Sequence, residues 1–237
     1  MPDIPGIFET IAVFHSRPIF LQQHLNRLEE GLMRISLLSS VYQRDEAEFQ
    51  ILKAARKTES GALKLEVTAD AMKITSRANP YSIESYQRGF RLCYSSVLRD
   101  ESDPVIYVKS LERSILNKER SIAKGKGFDE ALFLNRKGEV SEGSVSNVFC
   151  VKNDRIYTSS ISSGLLNGIL RQYLLLTYDH IRESVLFKDD IIHADEVFLT
   201  NSLMGIMPVC AVDGIPLKDH SVAEKYQKQY LKNLSEL

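Results

Sequence analysis

Residues 142–149 read Glu-Gly-Ser-Val-Ser-Asn-Val-Phe, and they begin 33 residues after a lysine set in Val108-Lys109-Ser110-Leu111. A lone lysine or a lone Glu-Gly pair says nothing about a fold. Their order, spacing and flanks do. Gly143 permits tight backbone turning, and Ser144 and Ser146 can bring hydroxyls and amides toward an anion. The apolar run Val105-Ile106-Tyr107-Val108 predicts a short strand with Lys109 at its end, followed by a helix from Ser110 to about Ala123. That placement would bury the lysine stem and desolvate its amine, which favours a neutral nucleophile. Taken singly, Lys109 also reads as a surface residue and Glu142 as a turn glutamate.

The chain has 237 residues, enough for one large domain or two small ones. Thirty Lys and Arg against 31 Asp and Glu leave a net charge of −1, which offers no footprint for nucleic acid or acidic lipid. No apolar run reaches the length of a membrane span, and the first residues lack a signal-peptide pattern, so a cytoplasmic protein is expected. Cys93, Cys150 and Cys210 are far apart with no C-x-x-C pair, and no H-E-x-x-H or phosphate-loop motif occurs. Neither a disulfide framework nor a metal site is expected.

Mixed α/β character runs throughout. Gly6–Phe14 reads as a strand entering a turn at His15-Ser16-Arg17-Pro18, and Leu25, Leu28, Leu32 and Ile35 repeat at helical spacing. A second helix is expected over Glu46–Arg56 and an alternating strand over Gly61–Thr68. Asn79-Pro80-Tyr81-Ser82 is the candidate linker, because proline disfavours helix in the residue before it. It suggests a small N-terminal domain over 1–84 and a larger strand-rich domain over 85–237 carrying Lys109 and Glu142. Beyond it, strands are expected at Phe90–Ser95, Ala131–Leu134, Val148–Val151, Ile156–Thr158, Val197–Thr200 and Ile206–Val212. A helix is expected near Gly168 and another from about Asp219.

From Gly6 to about Val212 the chain resembles the class IV aminotransferases and their lyase relatives, the fold-type IV pyridoxal-phosphate enzymes. The resemblance implies an α/β (α+β) fold of two domains, like the D-amino-acid and branched-chain aminotransferases, with pyridoxal 5'-phosphate between the domains. It also implies a homodimer and a small amino-acid-like substrate. The matching lysine, Lys109, would form the Schiff base with the cofactor and act as the catalytic base. Glu142 would sit beside the pyridine nitrogen, with Ser144 and Ser146 in the same cofactor loop. Arg27, in His24-Leu25-Asn26-Arg27-Leu28, matches the family's phosphate arginine. In Gly168-Ile169-Leu170-Arg171 the family commonly has threonine where this chain has Leu170, so only backbone N–H groups carry over to the phosphate there. Ser202 matches another phosphate-reaching hydroxyl.

Within the family, Asn167–Gln172 and Asn201–Cys210 are more similar to the 4-amino-4-deoxychorismate lyases, which release pyruvate to give p-aminobenzoate in folate biosynthesis. Branched-chain aminotransferases usually carry Asn-Tyr shortly after the lysine; here Arg113-Ser114 stands instead. An aminotransferase acting on branched-chain or D-amino acids is the alternative, and a non-catalytic cofactor-binding relative is a second. The anchors for substrate carboxylates stay open at this point, with Arg77 and Arg113 as candidates.

Overall fold

The computed structural model describes residues 4–37, 39–217 and 219–236. It resolves into two compact units, one of residues 1–80 with 107–113 and one of residues 81–106 with 114–237.

In the first unit, strand β1 (Ile7–Phe14) turns through His15 and Ser16, both at positive φ, into β2 (Arg17–Pro18). Two successive left-handed residues give the turn a twist that matches paired strands. Helices α1 (Leu21–Arg34) and α2 (Arg44–Ala55) follow, then strands β3 (Ser60–Val67) and β4 (Met72–Arg77). The sheet order is β2-β1-β3-β4, antiparallel throughout. Period-two alternation sends Ile7, Ile11 and Val13 of β1 and Leu63, Leu65 and Val67 of β3 into one core. The helical repeat Leu21, Leu25, Leu28 and Leu32 meets them there, with Ala47, Ile51 and Ala55 of α2.

The second unit opens with α3 (Ile83–Arg88) and β5 (Phe90–Arg99), then α4 (Ser114–Gly125), β6 (Glu130–Asn135), β7 (Val140–Gly143), β8 (Asn147–Lys152) and β9 (Arg155–Ser159). It continues with α5 (Ile169–Thr177), β10 (Ile181–Ser184), α6 (Lys188–Ile192), β11 (Glu196–Asn201), β12 (Gly205–Val212), β13 (Ile215–Pro216) and α7 (Ser221–Glu236). Among the described residues these strands form one nine-stranded mixed sheet, ordered β10-β9-β8-β11-β12-β5-β6-β7 with β13 on β12. Val148, Val197, Leu199 and Met207 share its main core, while Phe149 and Phe198 stack at 4.9 Å. No described helix is long and apolar enough to cross a membrane.

Several sequence expectations need correction. Val105–Val108 is not a strand: Pro104–Tyr107 forms a 3-10 turn, started by Asp103, whose side chain accepts the Val105 N–H at 2.9 Å. Proline's fixed φ suits that turn. The following helix begins at Ser114, not Ser110, because Val108–Leu111 runs along the edge of β1 instead. There the Phe8 N–H donates to the Lys109 carbonyl and the Leu111 N–H to the Gly6 carbonyl, both at 2.9 Å, around an Ile7–Ser110 bridge. Lys109 therefore packs with the N-terminal unit, not within the 85–237 region to which the linker assigned it. Strands β4 and β10 and helices α3 and α6 are short elements that the sequence reading passed over.

Candidate active site

In the first unit, edge pairing fixes the backbone of Lys109 and sets its side chain directly across from Phe8. Its Nζ stands 4.9 Å from the Phe8 ring centroid. Arg27, on the inner side of α1, grips the buried Glu9 with two N–H donors, Nε to Oε1 at 2.8 Å and Nη2 to Oε2 at 2.6 Å. Such a two-pronged grip fixes the plane of the guanidinium. His24, fully buried one helical turn earlier, places Nδ1 2.6 Å from the same carboxylate. Burial alone would raise the Glu9 carboxyl, but Arg27 and His24 outweigh it and hold the group at about 2. Burial lowers His24, with Glu9 opposing, and the charges of Arg27 and Lys109 lower it further. The two predicted cations thus share the surroundings of one imidazole.

In the second unit, Glu142 lies near the end of β7 and is 6% exposed. Arg99 Nη2 donates to its Oε1 at 2.9 Å, and the Leu166 N–H donates to Oε2 at 3.1 Å. Ser144 donates both its N–H, at 2.8 Å, and its hydroxyl to Oε1 of the fully buried Glu130. Burial pushes Glu130 above the usual carboxyl range, against those donors. Ser144 is thereby committed to holding the loop, whereas the buried Ser146 hydroxyl has no hydrogen-bond partner.

Gly168 is the N-cap of α5, so Ile169 and Leu170 supply its first free N–H groups. A β-carbon at Gly168 would meet Asn147 Oδ1 at 2.1 Å, so glycine is what lets this helix start approach β8. Asn147 also donates to the Leu166 carbonyl at 2.9 Å. The Leu170 side chain is buried and has no polar atom, which leaves only its backbone for an anion. Arg171, 1% exposed, ties the helix start to Asn167 Oδ1, the Ser159 carbonyl and Glu183, each at 2.8 Å. Ser202 lies in the turn after β11, closed by Asn201 Oδ1 accepting from the Leu203 and Met204 N–H groups.

Two groups escaped the sequence reading. Arg99 precedes Glu142 by 43 positions, and no local pattern joins them. Thr200 stands across from Asn147 in the β8–β11 ladder, so its hydroxyl leaves the sheet on the face that abuts Gly168. That hydroxyl is buried and without a partner. The alternation of Val197 and Leu199 into the core would have flagged it. A helix start free of side chain and two orphaned buried hydroxyls, those of Ser146 and Thr200, suit an anionic group that would use them. Within the second unit, the Glu142 carboxylate and this helix start have the chemistry that a phosphorylated pyridine calls for, and in the first unit Lys109 offers an amine.

A family model described as amino-transferase class IV matches residues 6–212. The chain belongs to that family. Its members are pyridoxal-phosphate-dependent aminotransferases and lyases, so this chain is an enzyme of that cofactor class. The aminodeoxychorismate lyase of Bacillus subtilis is 26% identical over 89% of this chain and 78% of its own length. A branched-chain-amino-acid aminotransferase of Pseudomonas aeruginosa is 28% identical over 95% of this chain and 82% of its own. The crystal structure of the 4-amino-4-deoxychorismate lyase from P. aeruginosa superposes with a TM-score of 0.81 at 27% identity, covering 97% of this chain and 91% of that one. The mixed α/β architecture is the fold-type IV fold.

Proposed function

We propose that the chain is a lyase of the aminodeoxychorismate type, which eliminates pyruvate from an aminated, dicarboxylic cyclohexadiene and leaves p-aminobenzoate. The observation that carries this reading is the docked Val108–Arg113 segment. It fixes Lys109 against β1 and brings the Arg113 guanidinium over the same Phe8 ring, 5.7 Å from its centroid. Branched-chain aminotransferases typically carry Asn-Tyr where this chain has Arg113-Ser114, so the tyrosine that would touch the ring hydroxyl is missing.

Bound pyridoxal phosphate supplies an electron sink for negative charge developing at the amine-bearing carbon. The rest falls to the chain's own residues. Lys109 Nζ first holds the cofactor and then takes the proton from that carbon. The Glu142 carboxylate, oriented by Arg99 and the Leu166 amide, favours a protonated pyridine nitrogen. In the second unit the α5 N-terminus, Ser146, Thr200 and Ser202 would hold the phosphate; Arg27, locked on Glu9, keeps the phosphate role that the family resemblance implies. Folate biosynthesis, a homodimer and a cytoplasmic setting belong to the same reading; light scattering coupled to gel filtration tests the dimer.

An aminotransferase shares the proton removal at Lys109 and differs in product. Incubation with aminodeoxychorismate should yield p-aminobenzoate and pyruvate in equal amounts. Glutamate formation from branched-chain or D-amino acids with 2-oxoglutarate, with no p-aminobenzoate from the first assay, would replace lyase with aminotransferase.

A further inference from the structure

The face of the small sheet that points away from α1 and α2 is crowded with cations around Phe8. Ile7, Ile11 and Val13 fill the core, so Phe8, Thr10 and Ala12 project from the opposite face. Strand register places Glu66 beside Phe8, Lys64 beside Thr10, and Ala62 beside Ala12. Lys109 stands on the other flank of Phe8, across the edge pairing. Lys64 Nζ lies 4.8 Å from the Phe8 ring centroid, Lys109 Nζ 4.9 Å and Arg113 Cζ 5.7 Å. An aromatic face attracts a cation, so the Phe8 ring gathers these three groups beside it. The acid that β3 supplies in this row, Glu66, pairs with Lys64 at 2.6 Å.

We infer that Arg113, with Lys64 beside it, reads the carboxylates of the substrate and selects amines that carry two of them. The inference rests on the lyase reading and deepens it by naming the specificity residues. Holding the cofactor and moving the proton occupy Lys109, so Arg113 is the main anchor on this face, with Lys64, which already shares its charge with Glu66, as the secondary one. A guanidinium offers two parallel N–H donors to a carboxylate, and a lysine adds a second point of charge. An ordinary amino acid brings one carboxylate, whereas a branched-chain side chain would set apolar carbon against a charged group. Arg77, also on this face, is paired with Ala62 in the row of Ala12. That row is four residues along β1 from Phe8, about 13 Å at the rise of a strand. Arg77 is too distant for the same carboxylate.

The test uses the holoprotein and the variants Arg113→Gln, Arg113→Lys and Lys64→Gln, with circular dichroism to confirm the fold of each. Isophthalate and benzoate are titrated by calorimetry as dicarboxylate and monocarboxylate probes. Wild type should bind isophthalate at least tenfold more tightly than benzoate. Arg113→Gln should abolish that preference, Lys64→Gln should reduce it, and Arg113→Lys should retain part of it. For aminodeoxychorismate, KM should rise tenfold or more in Arg113→Gln, with a smaller change in kcat. A folded Arg113→Gln protein that keeps the wild-type preference and KM would overturn the inference. Calorimetry does not require turnover, so an enzyme that prefers isophthalate yet releases no p-aminobenzoate would refute the lyase reading and leave the dicarboxylate site standing.

Discussion

Arg99 reaches Glu142 across 43 residues of chain, with both side chains largely withdrawn from solvent. Arg99→Met should remove one charged partner of the Glu142 carboxylate. Removing one member of a buried pair costs about 3–5 kcal/mol when the other stays charged. Loss of an orienting neighbour typically lowers activity by about 10–100-fold. Steady-state kinetics beside urea unfolding separates the two effects, and Arg99→Lys should recover part of both. Glu9 gives a second prediction. Its carboxyl lies near 4.5 when unfolded and at about 2 when folded, so its stabilising contribution is complete above pH 4.5 and lost as the pH falls through about 2. Glu9→Gln should destabilise the protein by about 3–5 kcal/mol at pH 7. It should also flatten the acid limb of stability against pH, measured by denaturant titration from pH 2 to 7. The residue identities behind Lys109, Glu142 and Arg27 are legible in the sequence because each lies in a local pattern. Arg99, Glu130 and Thr200 are not, because their meaning comes from partners that only the folded chain brings close.

At the scale of elements, the long periodic segments are legible and the short polar ones are not. Leu25, Leu28 and Leu32 announce α1, and alternation announces β1 and β3, because burial on one face imposes the period. Strand β4 is an edge strand whose exposed Lys73, Thr75 and Arg77 mask the alternation of Met72 and Ile74. Val105–Val108 carries strand-forming residues, yet Asp103 and Pro104 start a 3-10 turn there, and edge pairing to β1 then delays the helix to Ser114. Local propensity loses to a cap and a tertiary hydrogen bond. The start of α5 can be tested directly. Gly168 has φ −64°, which alanine tolerates, so any cost of Gly168→Ala comes from contact alone. The added methyl must displace Asn147 Oδ1 and sacrifice the Asn147–Leu166 hydrogen bond. A loss of about 1 kcal/mol is expected by thermal unfolding, with weaker retention of pyridoxal phosphate by equilibrium dialysis.

For the whole molecule, the chain leaves its first unit at Pro80, comes back to it with Tyr107–Arg113, and leaves again. Sequence marked the first departure through Asn79-Pro80. The return was invisible, because it rests on two backbone hydrogen bonds and an apolar Val108 rather than on any composition change. That return matters most for the proposed chemistry, since it fixes the lysine proposed to hold the cofactor. Sheet order in the second unit, where β5 lies between β12 and β6, is likewise a product of long-range pairing. The central claim is a covalent one, and peptide mapping reads it most directly. Purified protein loaded with pyridoxal phosphate should be yellow, and borohydride should fix the cofactor on the peptide containing Lys109, with no label in a Lys109→Ala variant. A label on another lysine, or the same yellow and the same fixation in Lys109→Ala, would contradict the account.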